Sequence, residues 1–411
     1  MRTILMLVPC DIFPPMDGNS MNIYHTIKYV SQRNRLQVLL SHVFSQGGEV
    51  DIFHPNLDIN YCPPTWFDRF KYKSFLFNPY YYKAAYELMN RTKADVIQCQ
   101  VLYTAPAGYL LKRRFKKPLV LVQENVEYLK YRRFGAPAPL TYFLNKLEEA
   151  SCRMADKIVA VSVVDKEFMR EIYGLPEAKI EVIQHCADPE VFNYSEKGRH
   201  TVRRLYDLSP QELVLSFVGK LDTIPNTAAV RYIAGEIYPA VLAEHPRTTF
   251  LIIGQNYDHL LPYKKQRMIF TGFVSNRKDA SPNLADYLSA SDMVIVPLDS
   301  GSGTRVKILE AAACSRAIVS TEIGVEGLDF VEGTEILLSE RVDEEFIGLV
   351  LGLVEDEARR KELGRRARQK VLSHYSWEGE TAKYEGIYRE IEGRGAATCL
   401  GKGHESPGYD L

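Results

Sequence analysis

Short apolar runs alternate with amphipathic stretches along almost the whole chain. Several runs are apolar at consecutive positions, as expected for parallel strands whose two faces are both covered by helices. The predicted strands are 3–8, 36–43, 95–98, 118–122, 157–161 and 180–183, then 213–218, 249–253, 268–271, 293–297, 317–320 and 335–338. The predicted helices include 20–30, 140–154, 164–173, 227–244, 283–290, 304–313, 343–355 and 356–374. The fold class is therefore α/β.

A polar segment, Asn193–Gln211, interrupts this rhythm, and we place a domain boundary within it. A chain of 411 residues is too long for one ordinary core and suits two domains. Residues Phe53–Tyr82 are crowded with Pro, Phe and Tyr, and we expect a long irregular insertion there. The predicted organisation is a first domain at 1–194, a linker at 195–212, a second domain at 213–375 and a disordered tail at 393–411.

Composition and charge narrow the class of protein. Hydrophobic residues make up 46% and charged residues 25%, which is usual for a soluble globular protein. The net charge of −1 offers no field for nucleic acid, and no apolar run approaches the ~20 residues that span a bilayer. The seven cysteines and nine histidines are scattered without metal-ligand spacing. We therefore expect a cytoplasmic protein without a metal site.

The basic run Lys112–Lys117 leaves two interpretations open. The first, which we favour, is a solvated helix end. The second is a peripheral contact with an anionic membrane. The insertion would supply the aromatic part of that contact with Trp66, Phe67, Phe70, Phe75 and Phe77.

The most informative stretch is 293–313, in which a buried strand leads into a loop of small residues and a helix opens near Thr304. Gly301 and Gly303 allow the backbone to turn sharply and to approach a ligand. Free N–H groups at the helix start form an anion site, and Arg305 adds a forked donor suited to phosphate oxygens. The stretch is therefore a candidate phosphate-binding site.

Glu310 follows on the same helix and offers a carboxylate to paired hydroxyls such as those of ribose. The alternative is that the small-residue loop only caps the helix and that Glu310 makes a surface ion pair. The residues alone leave both interpretations open.

These motifs resemble the retaining glycosyltransferases of the GT-B superfamily, family 4 type, most densely over 213–328. In that family a similar strand–loop–helix carries a glutamate that binds ribose, which the resemblance assigns to Glu310. Many members have a second glutamate eight positions earlier, where this chain has Ser302. A subgroup with Gly-Ser-Gly-Thr-Arg is similar. The candidate donor contacts of this loop are Ser302, Gly303, Thr304 and Arg305.

A second block, 213–221, resembles the first strand of the family's donor domain. Members often present basic residues there to the diphosphate, which the resemblance assigns to Lys220 beside Gly219. Asn226 stands where a second lysine is common, and it is kept as a candidate donor contact. The alternatives are an exposed lysine at a strand end and an N-cap, and for Asn226 we favour the cap. Backbone groups near Val274 are expected to meet the base edge.

In the first domain, 14–20 resembles the family's glycine-rich loop facing the donor phosphates, with Gly18 as its glycine. Residues 123–128 resemble a segment in which a histidine usually touches the transferred sugar, and this chain has Glu124 there. Glu124 would accept a hydrogen bond from a sugar hydroxyl or steady a developing positive charge. The alternative is a solvated acid at a helix start. We assign no dyad to His185 and Cys186.

The resemblance implies two Rossmann-like, doubly wound domains facing each other across a cleft, with a last helix at 377–392 that packs back on the first domain. It also implies metal-independent transfer, with retention, from a nucleotide diphosphate sugar and without a cofactor. Arg305, Lys220 and helix N-termini would neutralise the leaving diphosphate, and Glu124 completes the predicted catalytic set.

The identity of the acceptor stays open among a glycan, a lipid-linked molecule and a small molecule. Two rival functions also stay open. One is a non-catalytic partner subunit with a decayed donor site, and the other is a nucleotide-sugar epimerase of the same fold.

Overall fold

A computed structural model describes residues 1–13, 15, 18–41, 50, 52–66, 76, 78–301 and 303–400, with side chains up to residue 393. Across these ranges the chain forms two parallel sheets packed with helices, which confirms the predicted pair of Rossmann-like domains. No helix in the same ranges has the length and apolar character needed to cross a bilayer.

The first sheet has the strand order β3-β2-β1-β4-β5-β6-β7, and its pairings are parallel. Its strands are β1 Thr3–Leu7, β2 Arg35–Leu40, β3 Leu57–Tyr61, β4 Val96–Gln100, β5 Leu119–Gln123, β6 Lys157–Ala160 and β7 Ile180–Val182. The helices of this half are α1 Gly18–Arg33, α2 Pro79–Thr92, α3 Ala105–Phe115, α4 Glu127–Arg133, α5 Ala138–Met154 and α6 Val163–Tyr173. Separate apolar clusters pack on its two faces.

The segment predicted as an irregular insertion, Phe53–Tyr82, contains regular structure. Strand β3 lies within it and pairs with β2, and α2 begins at Pro79, where the Asn78 side chain accepts from the next two free amides. The strand reads Leu-Asp-Ile-Asn-Tyr, an alternation suited to an edge position with one covered face. The prediction of an irregular segment is wrong for 57–61, because the apolar residues of this strand alternate with polar ones and form no continuous apolar run. Phe67, Phe70, Phe75 and Phe77 lie outside the described residues.

The second sheet has the order β10-β9-β8-β11-β12-β13, again with parallel pairings. Its strands are β8 Leu213–Val218, β9 Thr248–Ile253, β10 Met268–Phe270, β11 Met293–Val296, β12 Ala317–Thr321 and β13 Leu337–Ser339. The remaining helices are α7 Glu196–Leu205, α8 Ile224–Tyr232, α9 Tyr238–Glu244, α10 Leu284–Ala290, α11 Val306–Ala313, α12 Glu322–Val325, α13 Glu344–Glu355, α14 Glu357–His374 and α15 Trp377–Leu400.

The segment predicted as a linker, 195–212, is folded onto the second domain. Its helix α7 buries Val202 in the second core, and the guanidinium of Arg203 donates to Asp292 at 2.8 Å. The polar composition that suggested a linker belongs to the exposed face of this helix, whereas its other face packs against α10.

Helix α15 leaves the second domain and packs on the first. Tyr384, Ile387 and Tyr388 join the cluster that covers β1, and Arg2 forms an ion pair with Glu385 at 3.1 Å. The helix runs to Leu400, so the expected tail does not begin at residue 393. Residues 401–411 lie outside the described part of the chain.

Each sheet has a point at which the strand order reverses, between β1 and β4 and between β8 and β11. Ligands of doubly wound sheets bind outside the carboxyl ends of the strands at such points. The segments that follow β1 and β11 meet there, because a Cβ at Gly18 would lie 3.2 Å from Val306 Cγ2. The fold thus brings both predicted glycine loops to one crevice.

Candidate active site

The loop between β11 and α11 forms the wall of the crevice contributed by the second domain. Gly301 and Gly303 have φ values of 124° and 74°, which L side chains rarely adopt. A Cβ at Gly303 would also lie 2.4 Å from Asn125 Oδ1 and 2.9 Å from the Glu124 carbonyl oxygen of the first domain. Glycine is therefore required at position 303 both by conformation and by close approach. Ser302, between the two glycines, lies outside the described residues.

Arg305 is the N-cap residue of α11 and makes no side-chain capping bond to the helix. Its Nη1 donates to the Gly303 carbonyl oxygen. Burial lowers the pKa of its guanidinium, while the carboxylates of Glu326 and Asp165 oppose that shift. A cation thus lies directly at an uncapped helix start, which is the arrangement that binds anions.

Glu310 lies along the same helix and is 8% exposed. Burial raises the pKa of its carboxyl to about 7, and Lys307 partly opposes the shift. Among the described residues no ion pair or hydrogen bond to this carboxylate occurs, so the interpretation as a surface ion pair is wrong. A buried acceptor of this kind is suited to hydroxyl groups from a ligand.

The segment after β8 packs beside the start of α11 through Asn226. The Asn226 amide donates to the Lys220 carbonyl oxygen at 2.9 Å and accepts from Lys307 Nζ at 2.8 Å. The N-cap of α8 is Thr223, so the predicted capping role of Asn226 is wrong. A Cβ at Gly219 would lie 2.6 Å from the Asn226 amide nitrogen, so a larger residue would displace that amide.

The side chain of Lys220 is exposed just after the end of β8. Its position is compatible with a diphosphate contact and with a solvated lysine at a strand end. Val274 follows β10, is partly buried and packs against the second core. Thr304 donates to the Val161 carbonyl oxygen at 3.4 Å, which adds a contact between the two domains.

The sequence analysis missed Lys307, whose side chain is partly buried. Its Nζ lies 4.4 Å from the centroid of the Phe217 ring, and burial lowers its pKa to about 7. The available signal was a lysine in the first turn of the helix Val-Lys-Ile-Leu-Glu-Ala-Ala-Ala, which is apolar apart from this lysine and Glu310. A cation in such a run has to be solvated by something other than water.

Glu124 lies just after β5 and is 1% exposed. Asn22 Nδ2 donates to its two carboxylate oxygens at 2.7 and 2.9 Å, and His185 Nε2 lies 2.8 Å from Oε2. Helix α4 begins at Glu127, so the interpretation of Glu124 as a solvated acid at a helix start is wrong. His185, for which the sequence analysis predicts no role, is its buried partner.

The two domains are joined across the crevice by Arg133. Its guanidinium nitrogens donate to both carboxylate oxygens of Glu326 at 2.6 and 2.8 Å, and Nη1 also donates to the Gly301 carbonyl oxygen at 2.6 Å. Nearby, a Cβ at Gly327 would lie 2.8 Å from Ser162 Cβ. The glycine loop is thus held from the opposite domain.

Two facing Rossmann-like domains with a glycine loop at the crevice between them place the chain in the class of GT-B proteins. Residues 34–191 match the family described as Glycosyltransferase Family 4, and residues 212–356 match the family described as Glycosyl transferases group 1. The chain belongs to these family 4 type glycosyltransferases.

Known relatives and solved structures agree with this placement. A D-inositol 3-phosphate glycosyltransferase of Rhodococcus erythropolis is 26% identical over 297 residues, which cover 69% of this chain and 65% of that protein. The alignment thus spans less than two thirds of that relative. The sucrose-phosphate synthase of Thermosynechococcus elongatus matches with a TM-score of 0.79 at 17% identity, covering 96% of this chain and 100% of that one. HepE of Anabaena, in complex with UDP and glucose, matches with a TM-score of 0.71 at 14% identity, covering 94% and 99%.

Proposed function

We propose that the protein transfers a sugar from a nucleotide diphosphate sugar to an acceptor. The observation that carries the proposal is the sequence of groups along α11, with Arg305 at its uncapped start and buried Glu310 further on. A diphosphate fits the first and a ribose fits the second, at a spacing set by one helix. Membership of the family and the UDP present in the HepE complex support the same donor class.

A thermal-shift screen tests the donor class. Uridine, adenosine, guanosine and thymidine diphosphates should be compared with the free nucleosides, because a ligand that binds the folded state raises the melting temperature by mass action. We expect one diphosphate to stabilise the protein and its nucleoside to have little effect. If none of the four changes the melting temperature, the proposed donor site is wrong.

The proposal includes retention of the anomeric configuration and independence from a divalent metal. Arg305, Lys220 and the start of α11 supply positive charge to the leaving diphosphate, a task that metals perform in other sites. In a front-face transfer the leaving phosphate oxygen takes the acceptor proton, so no strong protein base is required. Nuclear magnetic resonance of the product's anomeric centre tests retention.

The geometry favours a positioning role for Glu124 over the direct sugar contact predicted from the sequence. Both of its oxygens are already engaged by Asn22 and His185, and the side chain is buried. A sugar hydroxyl would have to compete with these partners. We propose that the carboxylate holds α1 and the end of the first sheet beneath the transferred sugar.

The two rival functions predict different products. A partner subunit with a decayed site would show no donor hydrolysis, and an epimerase would release an altered nucleotide sugar without an acceptor. The presence of Arg305 and of the buried Glu310 argues against a decayed donor site, because a buried carboxylate without a ligand lowers the stability of the fold. Product analysis with and without candidate acceptors separates the three.

We further propose that the protein acts in the cytoplasm and makes a peripheral membrane contact through α3. Six described cysteines are free thiols, which suits a reducing compartment. On α3, Arg114 lies over the Phe115 ring, which packs against Tyr86, and Leu110 is 54% exposed. Lys112, however, is paired with Asp156 at 2.7 Å. Sedimentation with anionic and with neutral vesicles tests the contact, and equal recovery with both would contradict it.

A further inference from the structure

Lys307 places an ammonium group in the candidate donor site without a carboxylate in ion-pair contact. Its Nζ donates to Asn226 Oδ1 at 2.8 Å and lies 4.4 Å above the Phe217 ring. Within the described ranges no carboxylate forms an ion pair with it. An amide oxygen and a ring face compensate a buried ammonium only in part, so the site favours an anion from outside the chain.

The protonation of Lys307 agrees with this picture. Burial, and after it the neighbouring Arg305, lower its pKa to about 7, while Glu310 on the same helix partly opposes the shift. The groups packed against it from the other elements, Phe217 of β8 and Asn226 of α8, are uncharged. The lysine is therefore divided between its charged and neutral forms near neutral pH, and an incoming anion favours the charged form.

The position of Lys307 limits what that anion can be. Through Asn226 it connects the start of α11 with the Gly219–Lys220 segment, at the carboxyl ends of the adjacent strands β8 and β11. Arg305 lies two residues earlier at the same helix start. An anion held between these segments needs oxygens for two cations, which a diphosphate provides.

We propose that Lys307 is a further diphosphate-binding cation of the donor site, and that it binds the donor in its protonated form, so that binding at neutral pH takes up a proton. The proposal rests on the proposed function, because it assigns a further residue to the same site. Proton uptake then distinguishes a contact with the diphosphate from a purely structural lysine.

Two substitutions of Lys307 distinguish the effect of its charge from the effect of its change in protonation. Lys307→Met keeps most of the apolar stem and removes the charge, and it should raise the Kd of the tightest-binding nucleoside diphosphate about ten- to a hundredfold. Lys307→Arg keeps a charge that does not titrate near neutral pH and should weaken binding much less. Calorimetry at pH 7.5 in two buffers of different ionisation enthalpy should show more protons taken up by the wild type than by Lys307→Arg.

A relocation of the charge provides a rescue test. In the double variant Asn226→Lys with Lys307→Met, the ammonium starts from the residue whose side chain it now contacts at 2.8 Å. We expect this variant to recover most of the affinity lost in Lys307→Met. The matched control is Lys361→Met, which removes an exposed lysine of α14 paired with Glu357 and should leave the Kd unchanged.

The outcomes are distinguishable from failure of the proposed function. If the wild type binds none of uridine, adenosine, guanosine and thymidine diphosphate, both proposals are wrong. If the wild type binds one of them and Lys307→Met binds it equally well, only the role of Lys307 is overturned. Equal proton uptake by the wild type and Lys307→Arg overturns it as well. A melting temperature for Lys307→Met at or above that of the wild type shows that lost affinity does not reflect misfolding.

Discussion

Arg133 of the first domain binds Glu326 of the second through two guanidinium nitrogens, and one of these also donates to the carbonyl oxygen of Gly301. The pair thus joins the domains at the glycine loop itself. Its side chains are 25% and 21% exposed, so solvent screens it less than a fully exposed pair. We infer that the contact favours the closed arrangement in which the loop faces the first domain.

The first prediction concerns this contact. A double-mutant cycle of Arg133→Gln and Glu326→Gln should give a coupling free energy of about 1 kcal/mol in denaturant unfolding, because the pair is bidentate and partly buried. The same variants should raise the KM for the donor. The control is Lys83 and Glu87, 74% and 65% exposed at 3.7 Å, which should show almost no coupling. Equal coupling in the two cycles would contradict the assignment.

The second prediction concerns Arg305. Arg305→Ala should lower kcat by roughly 10²–10³-fold, because it removes a donor aimed at charge that develops on the leaving diphosphate. Arg305→Lys should retain only part of the rate, since the fork is lost. Steady-state kinetics with donor and acceptor measure both. Near-normal turnover in Arg305→Ala would remove this residue from the mechanism.

The third prediction concerns the buried carboxyl of Glu310, whose pKa burial raises to about 7. A folded-state pKa above that of the unfolded chain contributes stability at low pH that is lost as the pH rises through about 7. Glu310→Gln should therefore unfold like the wild type near pH 4.5 and be more stable at pH 8, by roughly 1–3 kcal/mol. Urea unfolding at the two pH values measures this.

The same variant should bind the nucleoside diphosphate about ten- to a hundredfold more weakly at pH 8, as expected for loss of a charge-assisted hydrogen bond to ribose. The matching deoxyribonucleotide provides the control, because Glu310→Gln should discriminate less between the two sugars. A variant with unchanged affinity and unchanged discrimination would place the ribose elsewhere.

The fourth prediction is that activity persists in excess chelator. The sequence contains no Asp-x-Asp triplet, and Arg305 and Lys220 are the cations proposed to neutralise the diphosphate. Turnover should be measured after extensive treatment with EDTA. Loss of activity with rescue by magnesium or manganese would contradict metal independence and leave the family assignment intact.

The strands could be predicted from the sequence because both faces of each parallel sheet are covered, so β1 or β11 reads as an uninterrupted apolar run. The edge strand β3 is covered on one side and alternates, and it was missed for that reason. The polar composition of 195–212 predicts a linker, but it comes from the exposed face of α7.

The glycine loop before α11 could also be predicted, because glycines and a cation before a helix carry a local signal. Contacts between residues that are distant in the sequence leave no such local signal. Asn22 and His185 lie 102 and 61 positions from Glu124, and Asn226 lies 81 positions from Lys307. Such pairings follow from the order of the strands within each sheet, which single-residue patterns do not specify.

The last prediction concerns Glu124, which Asn22 and His185 enclose. Glu124→Gln turns an acceptor into a donor opposite the Asn22 amide, so it should cost about 1–3 kcal/mol of stability. It should also lower turnover tenfold or more while nucleotide affinity stays the same, because Arg305 and Lys220, the proposed diphosphate contacts, lie in the other domain. Adding Asn22→Asp restores a donor–acceptor pair with the charge on the opposite side, and we expect this double variant to regain most of both losses.

Glu124→His, which introduces the residue common in the family, should be tolerated better than Glu124→Ala. Stability and turnover that recover together in the double variant identify a positioning residue. If turnover stays low although the melting temperature recovers, the carboxylate at position 124 itself contacts the sugar and the positioning role is wrong.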